Sequence, residues 1–165
     1  MCCLNNEIIQ STVDSDTVRS KINDGSVRLV DVRREEEYNQ GHIINAINLP
    51  LATLLADDSP ENVVKLVEKM GIADDTTVIV YDDTFGALAS RVAWTLQYIG
   101  HSDVALLDVT YSKWKDLGLE TDTKKPNIKP VKHSLNLKPD IIATAEYLEK
   151  AKEKNDVVLI DNRER

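Results

Sequence analysis

Residues 78–89 read VIVYDDTFGALA, and this stretch predicts the fold of the chain. The four consecutive apolar residues Val78–Tyr81 predict a strand that is buried on both faces, as strands of parallel sheets are. A loop, Asp82–Gly86, follows the strand. A helix is predicted from about Ala87 to Ile99, where Gly100 ends it. Strand, loop and helix in this order form the repeating unit of α/β proteins.

The same alternation continues on both sides of this unit. The predicted helices are Ser15–Asp24, a short one opening at Glu35–Glu37, one from Pro60 to Met70, and Thr110–Leu117; the other predicted strands are Val27–Val32, Ala46–Leu49 and Val104–Leu107. We therefore expect an α/β fold: an open, twisted, mostly parallel sheet of about five strands with helices on both faces.

Length and composition limit the number of domains and the kinds of protein that the chain could be. The chain has 165 residues, 42% of them hydrophobic and 29% charged, which suits one α/β domain and is too short for two of ordinary size. It has no apolar run of about 18 residues that would predict a membrane helix. Residues 1–10 lack the pattern of a secretory signal, so we expect a cytoplasmic protein that contacts no membrane.

The net charge of −8 is concentrated in the first part of the chain. Residues 1–118 hold nineteen acidic against ten basic residues. An acidic body argues against nucleic-acid binding, because phosphate contact needs a concentrated basic face.

Residues 119–139 separate two parts of the chain. Pro126, Pro130 and Pro139 interrupt every periodic pattern there, which predicts a linker. Beyond it the beginning of the chain recurs at an offset of 130 residues: Val27, Leu29, Asp31 and Arg33 return as Val157, Leu159, Asp161 and Arg163. We predict an N-terminal tail (1–11), a domain (12–118), a linker (119–139), and the beginning of a second, truncated copy of the domain (140–165).

Four segments together resemble rhodanese-like domains. They are Leu29–Arg33 (LVDVR), Tyr38–Pro50 (YNQGHIINAINLP), Val78–His101 and Trp114–Gly118 (WKDLG). The chain departs from the family where Ile44-Asn45 replaces a frequent Pro-Gly, and where Val109-Thr110 replaces a Gly-Gly pair. Asn tolerates left-handed backbone, so the first departure is compatible with the same turn.

The resemblance implies a specific role for the loop after Val78–Tyr81. In rhodanese-like enzymes this loop begins with a cysteine that takes up sulfane sulfur as a persulfide. Inward-pointing backbone N–H groups and the following helix favour the thiolate there. In this chain the loop is Asp82, Asp83, Thr84, Phe85, Gly86 and Ala87. Counting from the strand puts Asp82 in the cysteine position, whereas a Cys-x-x-Gly-x-x-Ala pattern puts Asp83 there. Either way, the loop has no thiol, and a carboxylate cannot accept sulfane sulfur as a persulfide.

The chain is most similar to the non-catalytic front domain of tandem thiosulfate or 3-mercaptopyruvate sulfurtransferases. This likeness implies a second rhodanese domain of the same polypeptide as partner and a small anionic sulfur donor in the parent protein. Arg33 or Arg91 would face the cleft, the alternative for each being a structural ion pair. A different reading is a stand-alone inactive rhodanese module with a binding or regulatory role.

The remaining reactive residue types predict no further site. Cys2 and Cys3 are adjacent and terminal, so they supply neither a disulfide framework nor a positioned nucleophile. The three histidines are scattered, and we expect no metal and no cofactor. We expect His42 to bond backbone in a turn and His101 to cap the preceding helix. Trp94 and Trp114 have the helical spacing and neighbours of core residues.

Overall fold

The apolar run at Val78–Tyr81 lies at the centre of the sheet. The structure is a computed structural model that describes residues 12–23, 25, 27–152, 154 and 156–161. Its strands are β1 (Thr12–Val13), β2 (Val27–Asp31), β3 (His42–Ile43), β4 (Ile47–Asn48), β5 (Thr77–Tyr81), β6 (Val104–Leu107) and β7 (Thr121–Asp122). Five of them form a parallel sheet in the order β1-β6-β5-β2-β4, while β3 pairs with β7 in an antiparallel ribbon. The predicted α/β fold with a five-stranded parallel sheet is confirmed.

Seven α-helices occur in the described residues. They are α1 (Ser15–Lys21), α2 (Glu35–Gln40), α3 (Leu51–Ala56), α4 (Pro60–Lys69), α5 (Ala87–Tyr98), α6 (Tyr111–Asp116) and α7 (Ala145–Ala151), with a 3-10 turn at Pro139–Ile141. Local chemistry fixes several of the starts. The Asp14 side chain accepts the N–H of Thr17 at α1, and Pro60 occupies the first turn of α4, where its missing N–H costs nothing.

The sheet is covered on both faces because alternate residues of each strand point to opposite sides. In β5, Val78 and Val80 pack in one core with residues of α3, α4 and α5. Ile79 and Tyr81 pack in the other core, against residues of α1 and α6 such as Trp114. Both layers are therefore apolar, which explains why residues 78–80 of β5 are all aliphatic.

Some elements differ from the predicted ones. Helix α1 ends at Lys21 rather than at Asp24, with Ile22 as its C-cap. The sequence did not predict β1, α3, β3 or β7. The three strands have two residues each, too few for a period of two to show, and α3 has only six residues. Trp114 is in the core as expected, but Trp94 is only half-buried and stacks on Tyr98, so the core prediction for Trp94 was wrong.

The predicted linker lies against the domain over much of its length. The N–H of Val131 donates to the carbonyl of Glu68, and those of Asn136 and Lys138 donate to the carbonyls of Ile99 and Tyr98. These acceptors lie at the C-terminal ends of α4 and α5, where helix carbonyls lack partners within the helix. The linker thus satisfies the open ends of two helices.

A glycine makes room for the linker at the end of α5. A Cβ on Gly100 would clash with the carbonyl oxygen of Asn136, and the backbone of Gly100 has φ of +103°. No other residue type fits this position without moving the linker.

The repeated segment has the predicted helix but not the predicted strand. Helix α7 corresponds to α1 of the first copy, whereas residues 157–160 form no strand. Val158, Leu159 and Ile160 are 82%, 72% and 80% exposed, respectively. Cys2, Cys3 and Arg163 lie outside the described residues. The domain boundaries stay a prediction.

No described helix combines the length and the apolar character that crossing a bilayer requires.

Gly100→Ala tests the docking of the linker. We expect it to lower the free energy of unfolding clearly more than Gly118→Ala does, measured by urea denaturation. Gly118 is the matched control, since it also has positive φ (+69°) but a Cβ there would meet nothing within 4 Å. The left-handed backbone alone costs about 1–2 kcal/mol per residue, and the clash with Asn136 adds about 1–3 kcal/mol at position 100. Equal losses in the two variants would contradict the docked linker.

Candidate functional site

The site is built where β2 and β5 end side by side. Asp31 and Tyr81 are paired in register, and the N–H of Val32 donates to the carbonyl of Tyr81. The loops that follow these strands therefore start next to each other, at the carboxyl edge of the sheet, where ligands bind in many open α/β folds. One loop begins with Asp82 and the other contains Arg33.

The carboxylate of Asp82 lies inside the loop that it begins. Its Oδ1 accepts the N–H groups of Thr84 and Gly86, both at 2.9 Å. Its Oδ2 accepts the hydroxyl of Thr84 at 2.8 Å and the N–H groups of Leu88 and Ala89 at 2.9 and 3.0 Å. Asp82 is 3% exposed. One buried carboxylate thus receives five donors, four of them from the backbone of the loop and the first turn of α5.

The electrostatics of this arrangement favour the anion. Burial alone raises the pKa of Asp82, but the N–H groups of Ala89, Gly86 and Thr84 together outweigh it and hold that pKa below its ordinary value. Asp82 is therefore ionised at neutral pH. The negative charge also lies at the positive end of α5.

Asp83 points the other way, toward α6. Its Oδ1 accepts the N–H of Ser112 at 2.8 Å, and its Oδ2 accepts the Ser112 hydroxyl at 2.6 Å. Burial by itself raises the pKa of Asp83, but the bonds from Ser112 bring it below the ordinary value. Asp83 accepts no N–H of its own loop among the bonds in the described residues, so the two aspartates have separate surroundings.

The tip of the loop displays an aromatic ring. Phe85 is 94% exposed and has φ of +55°, a left-handed conformation that is costly for a bulky residue. Gly86, which follows, is also left-handed and leads into α5. The bonds to Asp82 from Thr84 and Gly86, on either side of Phe85, hold this conformation.

Arg33 forms the ion pair that the sequence suggested as the structural alternative. Its Nε and Nη2 contact both oxygens of Asp31, the shortest distance being 2.6 Å, and Nη2 also donates to the carbonyl of Gly41. The guanidinium lies 3.7 Å from the centre of the Tyr111 ring. Burial lowers the pKa of Arg33, but Asp31 raises it on balance, so the guanidinium stays charged.

An open cleft of about 570 Å³ lies beside these residues. It is lined by Arg33, Glu37, Gln40, Gly41, Asp83, Tyr111, Lys115, Thr121, Asp122 and Thr123. Three of these side chains are carboxylates. Of the two cations, Arg33 is already paired with Asp31, which leaves Lys115. The cleft is therefore acidic on balance.

The structure brings Arg33 and Asp83 to this cleft and places Arg91 elsewhere. The guanidinium of Arg91 pairs with Asp58 at 2.9 Å and lies 5.0 Å from the Trp94 ring, and Arg91 is not among the residues that line the cleft. Sequence reasoning missed Tyr111 and Lys115. Their spacing of four residues on α6 puts them on one face, but that signal is common to many helices.

The histidine side chains contact backbone atoms or each other. His42 is buried, and its Nδ1 contacts the carbonyl of Tyr38 at 2.9 Å, which confirms the predicted bond to backbone. The backbone N–H of His101 bonds the carbonyl of Leu96 at the end of α5. The imidazole of His101 does not cap the helix, however, because it contacts the ring of His133 instead. No group of three or more potential metal ligands occurs among the described residues.

Known proteins resemble this chain in sequence and in fold. A family model described as "Rhodanese-like domain" matches residues 14–117. The sulfur carrier protein TtuD of Thermus thermophilus is 30% identical over 137 residues, which cover 79% of this chain and 48% of that protein. A putative thiosulfate sulfurtransferase of Saccharopolyspora erythraea is 33% identical over 122 residues, covering 70% and 43%.

A probable 3-mercaptopyruvate sulfurtransferase of Schizosaccharomyces pombe is 36% identical over 92 residues, covering 54% of this chain and 31% of that protein. The chain thus spans half or less of the length of these relatives. The crystal structure of SseA from Escherichia coli, a 3-mercaptopyruvate sulfurtransferase, superposes with a TM-score of 0.78 over 86% of this chain and 62% of that one. Its 20% identity shows a shared fold.

Asp82→Asn tests whether the loop depends on the buried carboxylate. The substituted amide presents N–H groups to N–H donors, so we expect the free energy of unfolding at pH 7 to fall by about 1–3 kcal/mol in urea denaturation. Because the pKa of Asp82 is lowered by folding, the stability it gives is complete above about pH 4 and is lost at lower pH. The variant should therefore lose less stability than the wild type when acidified.

Asp83→Asn is the matched control, since Asn accepts hydrogen bonds at a helix start about as well as Asp does. A loss at position 83 that equals the loss at position 82 would contradict the central role of Asp82.

Proposed function

Because the chain belongs to the rhodanese-like family, we propose that it is the non-catalytic half of a thiosulfate or 3-mercaptopyruvate sulfurtransferase. In the whole protein, sulfane sulfur would pass from the donor to a thiophilic acceptor, such as cyanide or a thiol, through a cysteine persulfide on a second domain. One observation carries the proposal. The loop that would bind a persulfide is filled by the carboxylate of Asp82, and residues 82–87 contain no thiol.

The chemistry follows from the atoms present. In an active loop, a thiolate would attack the sulfane sulfur of thiosulfate, whose S–S bond breaks to release sulfite, or the sulfur of 3-mercaptopyruvate, whose C–S bond breaks to release the enolate of pyruvate. Backbone N–H groups would stabilise the resulting persulfide. Here those N–H groups are satisfied by an oxygen anion of the chain itself. A carboxylate cannot form a persulfide, and its charge would repel a second anion from the same ring of donors. The loop thus keeps the ring of inward-pointing N–H groups but lacks the cysteine thiolate.

Of the two aspartates, we assign Asp82 to the cysteine position. The position is defined by where the charged atom must lie, which is within the ring of N–H groups. The side chain of Asp82 lies there, whereas that of Asp83 contacts Ser112. On this assignment, the Cys-x-x-Gly spacing that includes Asp83 and Gly86 is a coincidence of loop length.

The partner in this proposal is a second rhodanese domain of the same polypeptide. Two observations support it: residues 157–163 repeat the sequence of the β2 segment, and the Thermus thermophilus and Saccharopolyspora erythraea relatives are more than twice as long as the matched region. A third is Phe85, a large ring that is exposed on a well-held loop and that a partner surface would bury.

The charges of the cleft limit what this half contributes to donor binding. Glu37, Asp83 and Asp122 line the cleft, and Arg33 is neutralised by Asp31. A small anionic donor such as thiosulfate would gain little here. We therefore propose that the second domain supplies the groups that bind the donor. This half would cover one side of the donor site in that domain.

The exposed Phe85 also suits the second candidate, a stand-alone inactive module that binds another protein. The reading frame beyond Arg165 separates the two. About a hundred further codons with a Cys-x-x-Gly-x-x-Ala loop favour the tandem enzyme, while an immediate stop codon favours the binding module.

The purified 165-residue chain should form no thiocyanate from cyanide with either thiosulfate or 3-mercaptopyruvate as donor. The reason is the missing loop thiol, and the measurement is the rate of thiocyanate production against a buffer blank. A variant carrying Cys2→Ser and Cys3→Ser serves as control. Turnover by the wild type that disappears in this variant would assign the chemistry to the terminal cysteines and refute the proposal.

A thiol placed at each aspartate tests the assignment of the cysteine position. In the background without Cys2 and Cys3, Asp82→Cys should give a thiol that ionises well below the ordinary value of about 8.5, because four N–H groups stabilise the thiolate. Asp83→Cys should titrate nearer to the ordinary value. The thiolate absorbance as a function of pH measures both. A lower pKa at position 83 would reverse the assignment.

A further inference from the structure

Two buried histidines join the domain to the linker. His101 follows Gly100 at the end of α5, and His133 lies within the linker. The Nδ1 of His101 is 3.2 Å from the Nε2 of His133. The two residues are 1% and 7% exposed. Among the described residues, the outer ring nitrogens, Nε2 of His101 and Nδ1 of His133, have no hydrogen-bond partner. This contact plays no part in the proposed sulfur chemistry.

The neighbouring carboxylate of Asp74 favours one direction of the hydrogen bond. Two neutral imidazoles can bond only if one nitrogen carries a proton and the other is bare. The Nδ1 of His133 lies 3.7 Å from Oδ1 of Asp74, which favours a proton on that nitrogen. The Nε2 of His133 is then bare and accepts from Nδ1–H of His101. This leaves Nε2 of His101 as a buried, unprotonated nitrogen.

The next proton therefore binds Nε2 of His101. This nitrogen is buried and has no hydrogen-bond partner among the described residues, so the positive charge would be poorly stabilised there. Burial lowers the pKa of His101, and the neighbouring His133 lowers it further. Asp103 and the backbone of Thr76 oppose this shift without cancelling it. Asp74 also faces the pair.

On the linker side, the charges nearest the pair belong to α4 and to the linker itself. Glu68 accepts the backbone N–H of His133 at 3.3 Å and lies 3.5 Å from the amino group of Lys132. Its charge is therefore already engaged by two donors.

We propose that the His101–His133 contact is a pH-sensitive latch that holds the linker on the domain while the buried His101 ring is neutral and releases it when that ring is protonated. The sign follows from linkage. A histidine whose pKa is lowered by folding stabilises the docked state fully above its unfolded pKa of about 6.5, and this contribution is lost as pH falls through the folded value. The released segment is the one that donates from Val131, Asn136 and Lys138 to the ends of α4 and α5.

The consequence for the rest of the chain rests on the proposed function. If a second domain follows the linker, the docked linker would restrict the position of that domain relative to the first. Release of the linker would let the second domain move. The latch itself does not need that domain. It can be tested on the 165-residue chain with no assay of activity, so its failure and the failure of the sulfurtransferase proposal are distinguishable.

Hydrogen exchange at the amides of Val131, Asn136 and Lys138 measures the latch directly. Rates are taken from about pH 7.5 to about pH 5, a range in which histidine titrates, and corrected for intrinsic exchange. Val80 in the core reports global opening. We expect protection of the three linker amides to fall below about pH 6.5, by at most about tenfold per pH unit if one proton is coupled, while Val80 stays protected. Protection that does not change with pH would overturn the proposal.

Three variants identify the titrating group. His101→Asn keeps a donor near Nδ1 but removes the titrating ring, so it should leave the linker protected and independent of pH. His133→Gln keeps an acceptor near Nε2 and leaves His101 in place, so it should keep both the protection and the pH dependence. His133→Ala removes the contact and should lower protection at every pH. Lys132→Gln is the matched control, because it changes the neighbouring charge without touching the rings and should keep the pH dependence. The same pH dependence in His101→Asn as in the wild type would refute the latch.

Discussion

The ring of hydrogen bonds around the Asp82 carboxylate is the interaction on which the site depends. Five donors, from Thr84 to Ala89, converge on two oxygen atoms in a buried position. Without an acceptor at the centre, these N–H groups would be left unsatisfied or would have to admit water. The carboxylate thus determines the shape of the loop, the left-handed backbone at Phe85 and the start of α5. In the proposed function, the carboxylate that stabilises the loop also takes the place of the sulfur nucleophile.

A second constraint determines the neighbouring cleft. Asp31 and Arg33 follow one another at the end of β2 and form a bidentate pair under the ring of Tyr111. A buried pair of this kind contributes little net stability, because desolvation offsets much of the attraction. Its effect is on geometry and charge. Arg33 connects the loop after β2 to the carbonyl of Gly41. Because its guanidinium is paired with Asp31, it is poorly placed to bind an anion in the cleft.

The predicted linker, residues 119–139, is held on the domain by contacts of several kinds. Its first part contributes β7, which pairs with β3, and the rest lies on the surface of the domain outside the parallel sheet. It lies over the exposed carbonyls of α4 and α5, passes over Gly100 with no room for a side chain, and buries a histidine pair. Each contact depends on a residue from a distant part of the sequence. A segment that looks structureless by composition is therefore an ordered part of the domain surface.

Short-range patterns in the sequence determined the fold class and most of the elements. The β-branched runs at Val27–Val32 and Val78–Tyr81, the glycine stops and the apolar stripe of α4 are signals within ten residues, and periodicity detects such signals. The absence of a loop thiol is equally visible in the sequence. Only the tertiary structure decided which aspartate fills the loop, that Arg33 is paired while Arg91 lies away from the cleft, and that His101 meets His133. Each of these outcomes depends on whether a side chain can reach a ring of N–H donors or a buried partner. The packing of strands and loops that are far apart in the sequence determines these distances.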